Sequence, residues 1–189
     1  MATKISLALV HHPVAGRKGE TIAAAVTSLD LHDIARLAKT FGVETFYVVT
    51  PLADQQQLVQ RIIDHWVRGV GAEYNPDRRD ALALIRLQPT LDDAVREATQ
   101  DCGLPPKTVV TSARMGQSNL TFSELRLLAQ RDVPLMLVFG TAWGLTQEVL
   151  DQADYRLAPI QGTGAYNHLA VRSAVAIVLD RMMADRADE

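Results

Sequence analysis

Short aliphatic runs alternate with longer amphipathic stretches along this chain, and that alternation restricts its fold more than any other feature. Ile5–Val10, Glu44–Val49, Leu82–Leu87, Thr108–Thr111 and Leu135–Phe139 have the length and apolar content of strands, with a further short apolar piece at Tyr155–Ala158. Between them Thr21–Phe41, Ala53–Val70, Thr90–Asp101, Thr121–Arg131 and Thr146–Asp151 read as helices, and His168–Ala184 as another. Start and stop signals agree: Thr90 precedes Asp92 and Asp93, Thr121 has Glu124 at capping-box spacing, and Gly42 and Gly103 follow helix ends. The pattern predicts an α/β fold, a parallel sheet with helices on both faces. Ligands then bind beyond the carboxyl ends of the strands, in the loops His11–Gly19, Thr50–Ala53, Thr111–Gly116, Gly140–Leu145 and Pro159–Asn167.

Length and charge narrow the function classes. At 189 residues the chain has room for roughly one domain, read here as spanning 1–189. With 19 Lys+Arg against 22 Asp+Glu, the net charge of −3 offers no global field for holding a polyanion, so any nucleic-acid contact must be local. Basic residues outnumber acidic ones only in the first 50 positions. Arginine dominates the basic set, which suits forked phosphate or carboxylate contacts. The single cysteine, Cys102, cannot form an internal disulfide and reads as a small buried hydrophobe in a reducing compartment. No apolar run reaches membrane-span length, and the first ten residues run into His11-His12-Pro13 without a cleavage pattern, so they read as a strand of a cytoplasmic protein.

Several chemistries lose support on spacing. His11 and His12 are adjacent and would point to opposite sides of an extended chain, so no metal site is expected; contact with a substrate is the better reading. Gly16-Arg17-Lys18-Gly19-Glu20-Thr21 lacks the Gly-Lys-Ser/Thr order of a phosphate loop, and Gly69-Val70-Gly71 lacks the third glycine of a dinucleotide fingerprint. No Gly-x-Ser-x-Gly elbow occurs.

Three separated segments carry more information together. In Asp30–Val43 the apolar residues Ile34, Leu37, Ala38 and Phe41 follow helical spacing and should face the core, which turns Arg36 to another side. Pro134–Leu145 is an aliphatic strand emptying into a turn with Gly140 and Gly144, and Leu157–Leu169 is a polar loop before an Ala-rich helix. In this order they resemble the three motifs of the SPOUT superfamily of RNA methyltransferases, over Leu29–Gly42 and Pro134–Leu179. Within it the likeness is to a small bacterial group with His-His-Pro, Leu-Asp-Leu-His-Asp-Ile-Ala-Arg and Tyr-Asn-His-Leu, present here as His11–Pro13, Leu29–Arg36 and Tyr166–Leu169. Asp30 replaces the motif 1 asparagine of ribose-methylating members, and His168-Leu169-Ala170 replaces their Ser-Leu-Asn, so the target atom stays open between a ribose 2′-hydroxyl and a base nitrogen.

The resemblance implies a C-terminal trefoil knot, S-adenosylmethionine as cofactor, and a homodimer acting on RNA rather than DNA, with tRNA the expected substrate. It implies a cofactor pocket formed by Thr111, Ser112, Ala113, Phe139, Gly140, Thr141, Gly144, Pro159, Ile160, Gly162, Tyr166, Asn167, His168 and Leu169. Arg36 matches the motif 1 arginine near the target phosphate, and Asp30, Asp33 and His168 are candidate proton acceptors, with Arg36 and Asp33 taken as the catalytic pair. A basic rim for RNA would draw on His11, His12, Arg17, Lys18, Arg36 and Arg114. The alternative reading is a non-catalytic module that keeps the fold and the pocket.

Overall fold

A computed structural model describes residues 4–113, 116, 118–164 and 166–183. Its centre is a six-stranded parallel sheet in the order β5-β4-β1-β7-β6-β8, built from β1 (Ile5–Val10), β4 (Thr45–Val49), β5 (Ile85–Gln88), β6 (Lys107–Val110), β7 (Leu135–Gly140) and β8 (Tyr155–Arg156). Every residue of β1 and β4 is buried, as expected when both faces of a parallel sheet are covered. Alternation along β1 divides the core: Ile5, Leu7 and Leu9 face one apolar cluster, Ala8 and Val10 the other. The first face carries α1 (Ser28–Thr40), α2 (Ala53–Val67), α4 (Pro76–Leu82), α6 (Phe122–Leu128) and α8 (Val171–Met183). The second carries α5 (Leu91–Cys102) and α7 (Gln147–Gln152).

The parallel sheet matches the sequence reading, and so do the capping residues. The Thr90 side chain accepts from Asp93 N, and Thr121 and Glu124 form a complete capping box. Gly103 closes α5 with φ +76, in the left-handed region glycine tolerates. Elsewhere the boundaries move for local reasons. The expected helix Thr21–Phe41 starts only at Ser28, because Thr27 caps it and Thr21–Ile22 (β3) instead pairs antiparallel with Val14–Ala15 (β2). The expected helix Ala53–Val70 ends at Val67; a Gly69 break leads to α3 (Val70–Tyr74), and the Asn75-Pro76 pair starts α4. Leu82 therefore ends a helix rather than opening a strand, and β5 begins at Ile85. Cys102 is partly exposed rather than fully buried.

Among the described residues, no helix is long and apolar enough to cross a membrane. None of them forms a cluster of metal-ligating side chains.

Candidate functional site

β1 lies between β4 and β7, where the order of strands reverses direction, and the carboxyl ends of β6 and β7 open into a cavity of about 480 Å³. This falls within the range of roughly 300–1,000 Å³ usual for small-molecule sites. Its floor is the turn after β7. A Cβ on Gly140 would lie 2.5 Å from Leu145 N and 2.8 Å from the Gly144 carbonyl carbon, so only glycine lets the turn fold back this closely. Ala142 at φ +51 and Gly144 at φ +101 complete the bend. The β2 segment fastens it, since Ala15 N donates to Gly144 O at 2.8 Å and Trp143 N donates to Ala15 O at 3.2 Å. Thr141 holds the base of the turn by donating to Val10 O from both N (3.1 Å) and Oγ1 (3.0 Å).

The opposite wall comes from the segments after β6 and β8. Thr111 Oγ1 donates to Val138 O at 3.1 Å, and Asn167 Nδ2 donates to Ala113 O at 3.1 Å, tying the two segments together. Leu157, Ile160 and Leu169 give this wall an apolar surface. His168 also lines the cavity; it is exposed and meets Tyr166 edge to face at 5.4 Å.

The remaining side is ionic. Asp30, in the first turn of α1, and Arg172, in the first turn of α8, both line the cavity, and Arg172 Nη1 donates to Asp30 Oδ1 at 3.1 Å. The other carboxylate oxygen of Asp30 accepts from Thr27 Oγ1 at 2.6 Å. Arg172 Nε lies 3.5 Å from Asp33 Oδ2, one turn further along α1. Asp30 is 8% exposed, so its charge depends on these partners in place of water.

Of the residues expected from sequence to bind a cofactor, Thr111, Ser112, Ala113, Phe139, Gly140, Thr141, Gly144, Ile160, Asn167, His168 and Leu169 line this cavity. Pro159, Gly162 and Tyr166 belong to the same loop but do not line it. Neither residue of the expected catalytic pair does either: Arg36 is exposed on α1 without a hydrogen bond or ion pair to any described residue, and Asp33 is half-exposed against Arg172. Arg17 and Lys18 are exposed at the tip of the β2–β3 hairpin, as a rim requires, and His12 is partly exposed.

His11 departs from the expected RNA contact. It is fully buried, because its backbone continues β1 by donating to Val49 O, and it has no surface for RNA. Burial pushes its imidazole pKa down to about 4, with the Leu9 backbone and the Asp30 charge pulling weakly the other way. Arg114 lies outside the described residues. Sequence reasoning missed Arg172, and its only signal was a charge in the first turn of a helix that is then small and apolar as far as Asp180.

Fold and cavity together define an α/β protein with a parallel sheet and a strand-end ligand site. The TrmH/SpoU tRNA modifying enzyme of Aquifex aeolicus superposes with a TM-score of 0.59 at 16% identity, over 98% of this chain and 76% of that one. Residues 4–184 match the family model described as SAM-dependent RNA methyltransferase, and the chain belongs to that family. It is 42% identical over 178 residues to a tRNA (guanine-N(1)-)-methyltransferase of Oleidesulfovibrio alaskensis, covering 94% of this chain but 41% of that protein. The chain thus spans about two-fifths of the length of that relative. An uncharacterized protein of Aquifex aeolicus is 38% identical, with 94% of this chain and 87% of the relative covered.

The family is one of enzymes that use S-adenosylmethionine, and the site suits that cofactor. A glycine-floored turn admits close main-chain approach, the apolar surface of Leu157, Ile160 and Leu169 would suit a purine, and the Asp30–Arg172 pair would offer both signs of charge to a zwitterionic tail.

Proposed function

We propose that this chain methylates tRNA, at a ribose 2′-hydroxyl or a base nitrogen, with the cofactor in the strand-end cavity and the RNA on the exposed rim beside it. The observation that carries this reading is the cavity itself, which joins all three sequence motifs at the carboxyl ends of β6 and β7. The names of the Oleidesulfovibrio relative and of the Aquifex structure support tRNA as the substrate class.

When bound, the cofactor's sulfonium supplies an electrophilic methyl group. The protein's share is orientation and removal of one proton from the acceptor. Asp30 is a poor acceptor because both carboxylate oxygens are already hydrogen-bonded, and Arg172 stays charged. Asp33 stands outside the cavity against Arg172. His168 is the remaining titratable side chain among the described lining residues, and it takes the proton. Arg36, exposed and unengaged, binds the phosphate next to the target nucleotide, with Arg17 and Lys18 extending the rim.

Two copies acting together complete the reading. Exposed Leu29, Trp143, Tyr166 and Leu169 sit on the elements around the cavity mouth, and a second copy of the chain would cover them. The segment after β8 forms the trefoil knot of the superfamily, residues 1–189 form one domain, and the enzyme works in the cytoplasm.

The test is transfer of labelled methyl from S-adenosylmethionine to bulk tRNA by the purified protein, followed by nucleoside mapping. Label in one tRNA nucleoside is expected. Cofactor binding without transfer to any RNA would contradict the proposal.

A further inference from the structure

Arg172 and Asp30 are the charged residues among the described lining of the cavity, and they come from different helices 142 positions apart in sequence. A partly buried ion pair is a weak source of stability, because desolvation and solvent screening offset most of the attraction. The placement of this one at a ligand cavity therefore calls for a reason other than holding α1 to α8.

The geometry supplies one. Two carboxylates hold Arg172, Asp30 by a hydrogen bond at Nη1 and Asp33 by an ion pair at Nε, while Nη2 has no hydrogen-bond partner among the described residues. A guanidinium has five donors in one plane, so fixing part of it aims the rest. The side chain is 36% exposed, and Arg172 lines the cavity. Asp30, fixed by Thr27 and Arg172, presents negative charge at the same end.

We propose that Arg172 is a specificity residue that binds the α-carboxylate of the cofactor's amino-acid tail, with Asp30 and Asp33 as the positioning residues that aim its guanidinium. This rests on the cofactor assignment above. It separates the two arginines of the site: Arg172 reads the cofactor, and Arg36, outside the cavity, reads the RNA.

Titration calorimetry with S-adenosylmethionine and with its decarboxylated analogue, which lacks only the carboxylate, tests this on the intact protein. A charge-assisted hydrogen bond corresponds to roughly ten- to hundred-fold in affinity. Wild type should bind the decarboxylated analogue weaker than S-adenosylmethionine by about that factor. Arg172→Ala should bind S-adenosylmethionine weaker by the same factor and bind the analogue as wild type does. Arg172→Gln, which keeps a donor for Asp30, should repeat the pattern, so a folding defect in the alanine variant does not decide the outcome.

Undiminished discrimination in either folded variant overturns the proposal, and so does equal loss of both ligands. Unchanged cofactor affinity with weakened tRNA binding would also overturn it and move Arg172 to the RNA. If wild type binds neither ligand, the cofactor assignment fails as well; if wild type binds and discriminates but the variants still do so, this inference alone fails.

Discussion

Arg36 and Arg172 stand on the two helices that flank the cavity, α1 and α8, yet their surroundings are opposite. Arg172 is held by Asp30 and Asp33 and lines the cavity, while Arg36 is exposed and makes no ion pair with a described residue. A cation locked among carboxylates recognises one ligand in one geometry, whereas a free guanidinium on a surface can adapt to a phosphate backbone. The contrast divides the site into an enclosed part suited to a small molecule and an outer part suited to a polymer. Net charge fits the division, since a chain at −3 must hold RNA through local groups.

That division can be broken most severely at Arg36. Arg36→Ala should lower methyl transfer about a hundred-fold while S-adenosylmethionine affinity by calorimetry stays within about twofold, since misplacing the target by roughly 1 Å can cost that factor. Lost cofactor affinity would place Arg36 in the wrong part of the site. Gly140→Ala makes the reverse test. Its Cβ has no room beside Leu145 N, so the turn must shift at a cost of about 1–3 kcal/mol, and cofactor affinity should fall together with the melting temperature.

A pH titration of stability probes the buried residue that follows β1. His11 has a folded pKa of about 4 against 6.5 in the unfolded chain, so the unfolded state binds the proton first as pH falls. The neutral buried ring is fully compatible with folding above pH 6.5, and on the order of 3 kcal/mol should be lost between there and pH 4. Denaturant unfolding at a series of pH values should show this slope, and His11→Leu should flatten it. An unchanged slope in that variant would assign the acid sensitivity to other groups.

The mildest test concerns the rim. Replacing Arg17 and Lys18 together by alanine should reduce the salt dependence of tRNA binding by roughly two counterions and leave cofactor affinity unchanged, because both residues are exposed at the hairpin tip. An unaltered salt slope would remove the hairpin from the RNA path.

What could be read from sequence follows the range of the interactions involved. Strands and helices announced themselves because burial imposes a period, and the Thr90, Thr121 and Gly103 caps because they act within four residues. The turn at Gly140–Gly144 was visible for the same local reason. The β2–β3 hairpin was hidden, since Thr21–Ile22 is committed to a strand by Val14–Ala15 and by nothing in its own pattern. His11 looked like a loop residue because the added ladder bond to Val49 O depends on a strand far along the chain. The Asp30–Arg172 pair was the least legible, as two charges far apart in sequence become one feature only when α1 and α8 pack together.

In the proposed division, one cavity serves the cofactor and a separate outer face serves the RNA. Calorimetric titration of the Arg36→Ala protein with S-adenosylmethionine, followed by tRNA in the same cell, addresses it directly. A wild-type binding isotherm for the cofactor and a loss of most of the tRNA signal are expected. Weakened cofactor binding with tRNA binding intact would contradict it.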